Sequence, residues 1–232
     1  MTNPTQPPLQ HIALIPDGNR RFAHAHNLPT FEGHRQGFEV VKKLGEHIRK
    51  LGIPVFTVWA FSTENWKRDK DEVRHLMDIF ERWFGEYLET AKKQHIRIVH
   101  IGRRDRIPPS LRLQIEHCQE QTKQFCDHTL IVALDYGGQD EVLRAAKKME
   151  NGGQKIEDLN DFSSLLDTNG LKYPNPDLVI RTSGEQRTSG FMIWQAAYAE
   201  WIFRPQHLPA FTTGDLDACI EEYVQRGRRF GK

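Results

Sequence analysis

Short apolar runs alternate with amphipathic stretches from one end of the chain to the other. His11–Ile15, Val55–Phe61, Ile96–Ile101, Leu130–Leu134 and Leu178–Ile180 are rich in Ile, Val and Leu with little polar alternation. That is the pattern of parallel strands covered on both faces. Between them the spacing becomes helical. Val73, Leu76, Met77, Phe80, Phe84, Tyr87, Leu88 and Ala91 recur at i, i+3, i+4 and i+7, which predicts one long helix. Leu111, Ile115, Cys118, Thr122 and Phe125 trace a second stripe. Thr212-Thr213-Gly214-Asp215 has capping-box spacing and opens a last helix with Leu216, Ile220 and Tyr223 on one face. Strand–helix alternation over the whole length predicts a single α/β domain with a mostly parallel sheet. Such sheets bind ligands beyond the carboxyl ends of their strands, so the residues that follow each strand are the ones to read for chemistry.

Composition narrows the function classes. The chain has 232 residues, 32 Lys+Arg against 31 Asp+Glu, and a net charge of +1. There is no basic excess of the kind a general nucleic-acid binder carries. With 38% hydrophobic and 27% charged residues, the chain reads as folded rather than disordered. The apolar runs fall far short of the roughly 18 residues a membrane span needs. Met1–Gln10 has neither a charged n-region nor an apolar h-region, and Pro4, Pro7 and Pro8 mark residues 1–9 as a loose arm before a domain at 10–232. Cys118, Cys126 and Cys219 are odd in number and lack CxxC spacing. They exclude a disulfide scaffold, argue against a cysteine zinc site and fit the reduced cytoplasm.

The strand ends carry the chemistry. Asp17-Gly18-Asn19-Arg20-Arg21 follows the first strand. Gly18 permits close backbone approach, a helix N-terminus offers free N–H groups, and Asp17 is a hard oxygen ligand, which suits a phosphate with a divalent metal. An Asx turn with Asp17 or Asn19 as N-cap is the alternative. The P-loop and dinucleotide fingerprints are absent. Gly33-His34-Arg35 opens the next helical segment, where a histidine can meet a diphosphate or relay a proton. Phe61 to Arg68 interleaves Ser62, Asn65 and Arg68 with aromatics, as a site for an apolar substrate with a charged end would. Arg181 to Gly190 places Arg181, Arg187 and Ser189 in a glycine-flexed loop suited to phosphate oxygens. Glu200 ends an apolar stretch from Trp194, as a metal contact or a surface carboxylate. On these residues alone, phosphoryl transfer, phosphate hydrolysis and transfer of a diphosphate-activated group all stay open.

Seven segments in this order resemble the cis-prenyltransferases, the Z-isoprenyl diphosphate synthases. They are His11 to Asn19, Gly33-His34-Arg35, Ala60 to Arg68, Asp135-Tyr136-Gly137-Gly138, Ile180 to Arg187, Trp194 to Glu200 and Arg228-Arg229-Phe230-Gly231. The resemblance implies an α/β domain with a mostly parallel central sheet of about six strands flanked by helices, an apolar tunnel, and a homodimer in the cytoplasm with transient membrane-surface contact for product release. It implies Mg²⁺-dependent condensation of isopentenyl diphosphate onto an allylic diphosphate such as farnesyl diphosphate, each new double bond cis. By the match, Asp17 holds Mg²⁺, with Glu200 a second metal contact. Gly18, Asn19, Arg20 and Arg21 cradle the allylic diphosphate, with Phe22, His34 and Arg68 beside it. Arg181, Arg187 and Ser189 take the isopentenyl diphosphate, and Arg229 completes the partner's site. Ser62, Asn65 and Trp66 sit at the reacting carbons, with Asn65 or His34 handling the proton. The apolar stripe from Val73 to Ala91 walls the tunnel, with Phe84 as its stop. Thr30 and His128 depart from the family pattern, at the allylic site and the tunnel end. The rivals are a non-catalytic partner subunit, which would lack Asp17 and the arginines, and a hydrolase using Asp17 as nucleophile, which would need further acidic ligands.

Overall fold

The computed structural model describes residues 9–152 and 155–226. In chain order its strands and α-helices are β1 (His11–Ile15), α1 (Asn19–Ala25), α2 (Thr30–Lys50), β2 (Val55–Ser62), α3 (Lys70–Lys93), β3 (Ile96–Ile101), α4 (Pro109–Thr122), β4 (His128–Tyr136), α5 (Gly138–Gly152), α6 (Leu159–Ser163), β5 (Leu178–Arg181), β6 (Glu200–Phe203) and α7 (Thr213–Gln225). Six strands form one sheet in the order β3-β4-β2-β1-β5-β6, and every neighbouring pair is parallel. Leu14 of β1 stands opposite Val58 of β2 on one side and Ile180 of β5 on the other. After β1 the chain builds one half of the sheet, and from β5 it builds the other. The strand order therefore reverses at β1, and a crevice opens beyond its carboxyl end.

All five residues of β1 are buried, which explains why its sequence shows no polar alternation. Ile12 and Leu14 face the larger core, shared with α2, α3, α4 and α7. Ala13 and Ile15 face the smaller one, closed by Phe191 and Met192. The predicted long helix is α3. Asp69 caps it by accepting from the N–H groups of Asp71 and Glu72, and it buries Val73, Leu76, Met77, Phe80, Phe84, Leu88 and Ala91. The last helix starts as its capping box predicts, with Thr212 and Asp215 bonded reciprocally.

The differences lie at edges. β4 is longer than its apolar run, because polar His128 and Thr129 pair with Ile96 and Arg97. α4 ends at Thr122, so Phe125 falls outside it and stacks on His95 at 5.0 Å. β6 has no clear strand pattern, since an edge strand of four residues leaves little periodicity to read. The expected arm at residues 1–9 and Arg229 lie outside the described residues, apart from Leu9, which packs on the core. Among the described residues no helix is long and apolar enough to cross a membrane.

Candidate active site

Beyond β1 and β5 the two strand-end loops touch. Gly18 has φ +104°, and a Cβ there would come within 2.6 Å of Ser183 Oγ, so only glycine lets the loops close to this distance. The contact is held by Asp17. Arg181 Nη2 donates to Asp17 Oδ2 at 2.9 Å, Gly18 N donates to Oδ1 at 2.8 Å, and Arg21 Nη2 stands 3.3 Å from Oδ1. Burial alone would raise the Asp17 pKa. The bond and charge of Arg181, then Arg21 and the Gly18 N–H, outweigh it and hold the carboxyl below its ordinary value. Thr182 Oγ1 donates to the Asp17 carbonyl at 2.7 Å. Arg181 is only 4% exposed; its Nη1 donates to Ser189 Oγ at 2.9 Å and to the Arg187 carbonyl, while its Nε has no hydrogen-bond partner. Ser183 and Ser189 sit at φ 79° and 50°, left-handed conformations that non-glycine residues adopt at a cost.

Two carboxylates bind the remaining cations together. Glu185 pairs with Arg21 at 2.9 Å and with Arg187, bridging the loop after β1 and the loop after β5. Glu72, in the first turn of α3, gathers Arg68 at 3.1 Å, His34 at 3.4 Å and Arg20 at 3.8 Å. His34 is buried, and desolvation, then the charge of Arg68, lower its pKa against the opposing pull of Glu72. It therefore stays neutral over a wider range than an exposed histidine.

Two cavities meet at Asp17. A polar bowl of about 560 Å³ is lined by Asp17, Asn19, Arg20, Arg21, His34 and Arg68. It shares Asp17, Asn19, His34 and Arg68 with a cavity of about 370 Å³ that runs inward between α2, α3 and the sheet. The inner walls of that cavity are apolar, including Phe38, Val41, Val58, Phe80 and Val132. Its mouth carries Ser62, Asn65, Arg181 and Ser189. Asn65 Oδ1 accepts from the Ser62 N–H at 3.0 Å, so that oxygen is engaged and the amide NH₂ is the group left to act as a donor. Such a space fits a molecule with an anionic head and a hydrocarbon tail.

Comparison with known proteins agrees. The family model for undecaprenyl diphosphate synthases matches residues 15–231. The chain belongs to the cis-prenyltransferase family. It is 42% identical over 228 residues to an isoprenyl transferase of Bacillus anthracis, covering 96% of this chain and 88% of that one. It is 44% identical over 228 residues to a chloroplastic nerylneryl diphosphate synthase of Solanum lycopersicum, covering 96% and 70%. Its structure resembles that of a lavandulyl diphosphate synthase from Lavandula x intermedia solved with dimethylallyl diphosphate, with a TM-score of 0.92, 34% identity and coverage of 97% and 98%. This cis-prenyltransferase is thus an enzyme that transfers prenyl groups.

Not every residue expected at the site reaches it. Trp66 lines neither cavity; its Nε1 donates to Asp135 at 2.8 Å, its ring meets Phe61 edge-on, and Arg106 lies over its face. A buried acceptor, Asp135, thus holds the indole N–H. Phe22 likewise lines neither cavity and stacks on His26 at 4.1 Å. Arg187 is exposed and held by Glu185 beside the mouth. Glu200 does not join Asp17. It begins β6 opposite Leu178, whereas Arg181, which holds Asp17, is opposite Phe203. Three residues of strand separate those positions by roughly 10 Å, toward the other end of the sheet. Glu200 pairs there with Arg226 at 3.1 Å. Phe84 is core rather than cavity wall: it is wholly buried, and its carbonyl accepts from Cys118 Sγ at 3.3 Å on the α4 side.

Sequence reading missed Glu72, Glu185 and the Asp135–Arg106 pair that pins Trp66. Glu72 did leave a signal, standing four residues after Arg68 at salt-bridge spacing. For Asp135–Arg106 only the fold brings the partners together.

Proposed function

We propose that the chain condenses isopentenyl diphosphate with an allylic diphosphate, farnesyl diphosphate or a shorter homologue, to give a product whose new double bond is cis. The observation that carries this reading is the junction at Asp17 of a cationic bowl with an apolar cavity. The allylic diphosphate lies in the bowl against Gly18, Asn19, Arg20 and Arg21, with His34 and Arg68 beside it, and its hydrocarbon chain enters the cavity. Isopentenyl diphosphate is clamped at the mouth by Arg181, Arg187 and Ser189. Binding both by their charged ends holds the reacting carbons close near Ser62 and Asn65. The allylic C1–O bond breaks, diphosphate leaves, the isopentenyl double bond attacks C1, and a proton is lost from the adjacent carbon. Asn65 donates to an oxygen at the mouth, which orients a substrate and does not accept that proton. His34, lowered in pKa, accepts protons but is aimed at Glu72.

The family's divalent metal is here Mg²⁺. The residues suit it: Asp17 is a partly exposed ionised carboxylate at the wall of both cavities. Asp17 would hold the ion beside a bound diphosphate; among the described residues no cluster of three metal-ligating side chains occurs. When bound, Mg²⁺ neutralises the departing diphosphate. The arginines around Asp17 supply the rest of that neutralisation as fixed positive charge. The active form is a homodimer in the cytoplasm that meets the membrane surface when it releases its apolar product.

Incubation with labelled isopentenyl diphosphate, farnesyl diphosphate and Mg²⁺, followed by chromatography of extracted products, tests the reading. Labelled prenyl products that vanish with chelator are expected; free phosphate without prenyl product would instead establish a hydrolase.

A further inference from the structure

Among the described residues the apolar cavity is lined no deeper than Val41, Val58, Trp83 and Val132. A second cavity, of about 30 Å³, lies further along the same layer. The two divide element by element. On α2, Val41 lines the first and Gly45 the second; on β4, Val132 lines the first and Leu130 the second; on α3, Trp83 lines the first and Tyr87 the second. Between them the rings of Trp83 and Tyr87 stack, with centroids 4.8 Å apart and planes 12° from parallel. Beyond the stack the lining stays mostly apolar, with Ile48, Ile53, Phe56 and Ile96, but it includes Arg49 and His128. Arg49 Nε and His128 Nδ1 are buried there with no hydrogen-bond partner.

We infer that the Trp83–Tyr87 stack is the partition that ends the growing chain, which makes this a short-chain enzyme. The inference rests on the prenyl-transfer reading above and deepens it. The cavity wall from Ser62 to Val58 spans four residues of β2. At about 3.3 Å per residue that is roughly 13 Å. An extended chain advances about 1.2 Å per bond, so an isoprene unit with four main-chain bonds takes about 5 Å. The cavity therefore holds about two to three units beyond the mouth, or roughly 10–15 carbons, before the tail meets the stack. A longer tail would have to displace two packed rings and then lie against Arg49 and His128 without giving them hydrogen-bond partners. Both costs oppose further addition.

The test uses the full-length protein. Wild type receives labelled isopentenyl diphosphate with allylic diphosphates of one, two, three and four isoprene units. Turnover should fall at least tenfold between the starters that fit the cavity and those that exceed it, with products clustered near three to four units. Trp83→Leu should lengthen the main product by at least one unit. Trp83→Phe should leave the distribution unchanged, since Trp83 Nε1 makes no hydrogen bond and a ring is kept. Phe84→Ala should lower the melting temperature without lengthening products. A folded, active Trp83→Leu protein with the wild-type distribution would overturn the partition. So would a wild type that releases chains of six or more units, a result that does not depend on any variant folding. No incorporation by wild type from any starter refutes the prenyl-transfer reading itself, and this inference with it.

Discussion

Two polar clusters lie at strand ends in this molecule, and both bury charge. One joins Asp17, Arg181 and Arg21 beyond β1 and β5. The other joins Glu141, Asp167, Arg144 and Asp140 near the ends of β3 and β4. In the second, every carboxylate oxygen has a donor. Arg144 grips Asp167 with two bonds of 2.7 and 2.6 Å, and Gly102 N adds a third at 3.0 Å. Asp140 accepts from Arg103 and Arg144. Glu141 accepts from Tyr136 at 2.7 Å, from Gln195 and from the Asp167 N–H. Neither large cavity touches this cluster. In and beside the first cluster, Arg181 Nε and Asn19 Oδ1 lack hydrogen-bond partners at cavity walls, and the backbone is left-handed at Ser183 and Ser189. Density of buried ion pairs is therefore a poor marker of a site. Polar atoms without partners, held beside space for a ligand, mark it better.

The sharpest way to break this contrast is to remove one aspartate from each cluster. Asp17→Ala should lower turnover by roughly 10²–10⁴, or about 3–5 kcal/mol of transition-state stabilisation, and should also lower the melting temperature, because the buried Arg181 loses its carboxylate partner. Steady-state assay of a folded variant with near-normal turnover would refute the role of Asp17. Asp167→Ala should cost stability but not turnover. It leaves the half-buried Arg144 with Asp140 as a remaining partner and should cost about 1–3 kcal/mol in urea unfolding, while kcat of the folded enzyme stays within a few-fold of wild type. A kcat loss as large as that of Asp17→Ala would make the remote cluster part of the site.

A smaller effect separates the two anion clamps. Arg187→Ala should raise KM for isopentenyl diphosphate about thirtyfold, or about 2 kcal/mol, and that for the allylic substrate much less. Equal changes in both would merge the clamps into one. The smallest effect is on pH dependence. The Asp17 carboxyl titrates below its ordinary range, so its contribution to stability is present above its unfolded pKa near 3.8 and is lost as pH falls through its folded value. Burial, ahead of the hydrogen bonds that oppose it, raises the pKa of Glu141. Its charged form therefore costs stability as pH rises through that folded value, and the cost is gone below the unfolded pKa near 4.5. The stability difference between wild type and Asp17→Asn should grow from pH 3 to 7, and that between wild type and Glu141→Gln should shrink. Urea unfolding across that range with both differences moving the same way would break the contrast.

Much of the fold is legible without coordinates. Five strands show as unalternated runs of Ile, Val and Leu, and α3 shows as a stripe repeating every 3.6 residues, because burial on both faces of a sheet or one face of a helix dictates those patterns. The site loops are legible because glycine, arginine and carboxylate cluster after strands. Trp66 shows what sequence leaves open. In sequence it stands beside Asn65 and shares its segment, yet its indole N–H is taken by Asp135, 69 residues on, a partner only the fold supplies. Phe84 and Trp83 form a second such pair. Adjacent helical positions point about 100° apart, so one faces α4 and the other the cavity. Periodicity identified the apolar stripe but not which of its edges borders empty space.

The sequence by itself determined the class of fold, the loops that carry the chemistry and the family, since each is written in local patterns or in the order of short motifs. Only the tertiary structure decided which charges meet. Arg181 reaches Asp17 across 164 positions because β1 and β5 are neighbours at the point where strand order reverses, and Glu200 is carried to the far end because its strand begins where theirs begin. Such pairings depend on which strands lie side by side and in what register. They are set by the packing of the whole sheet, for which no single segment holds the information.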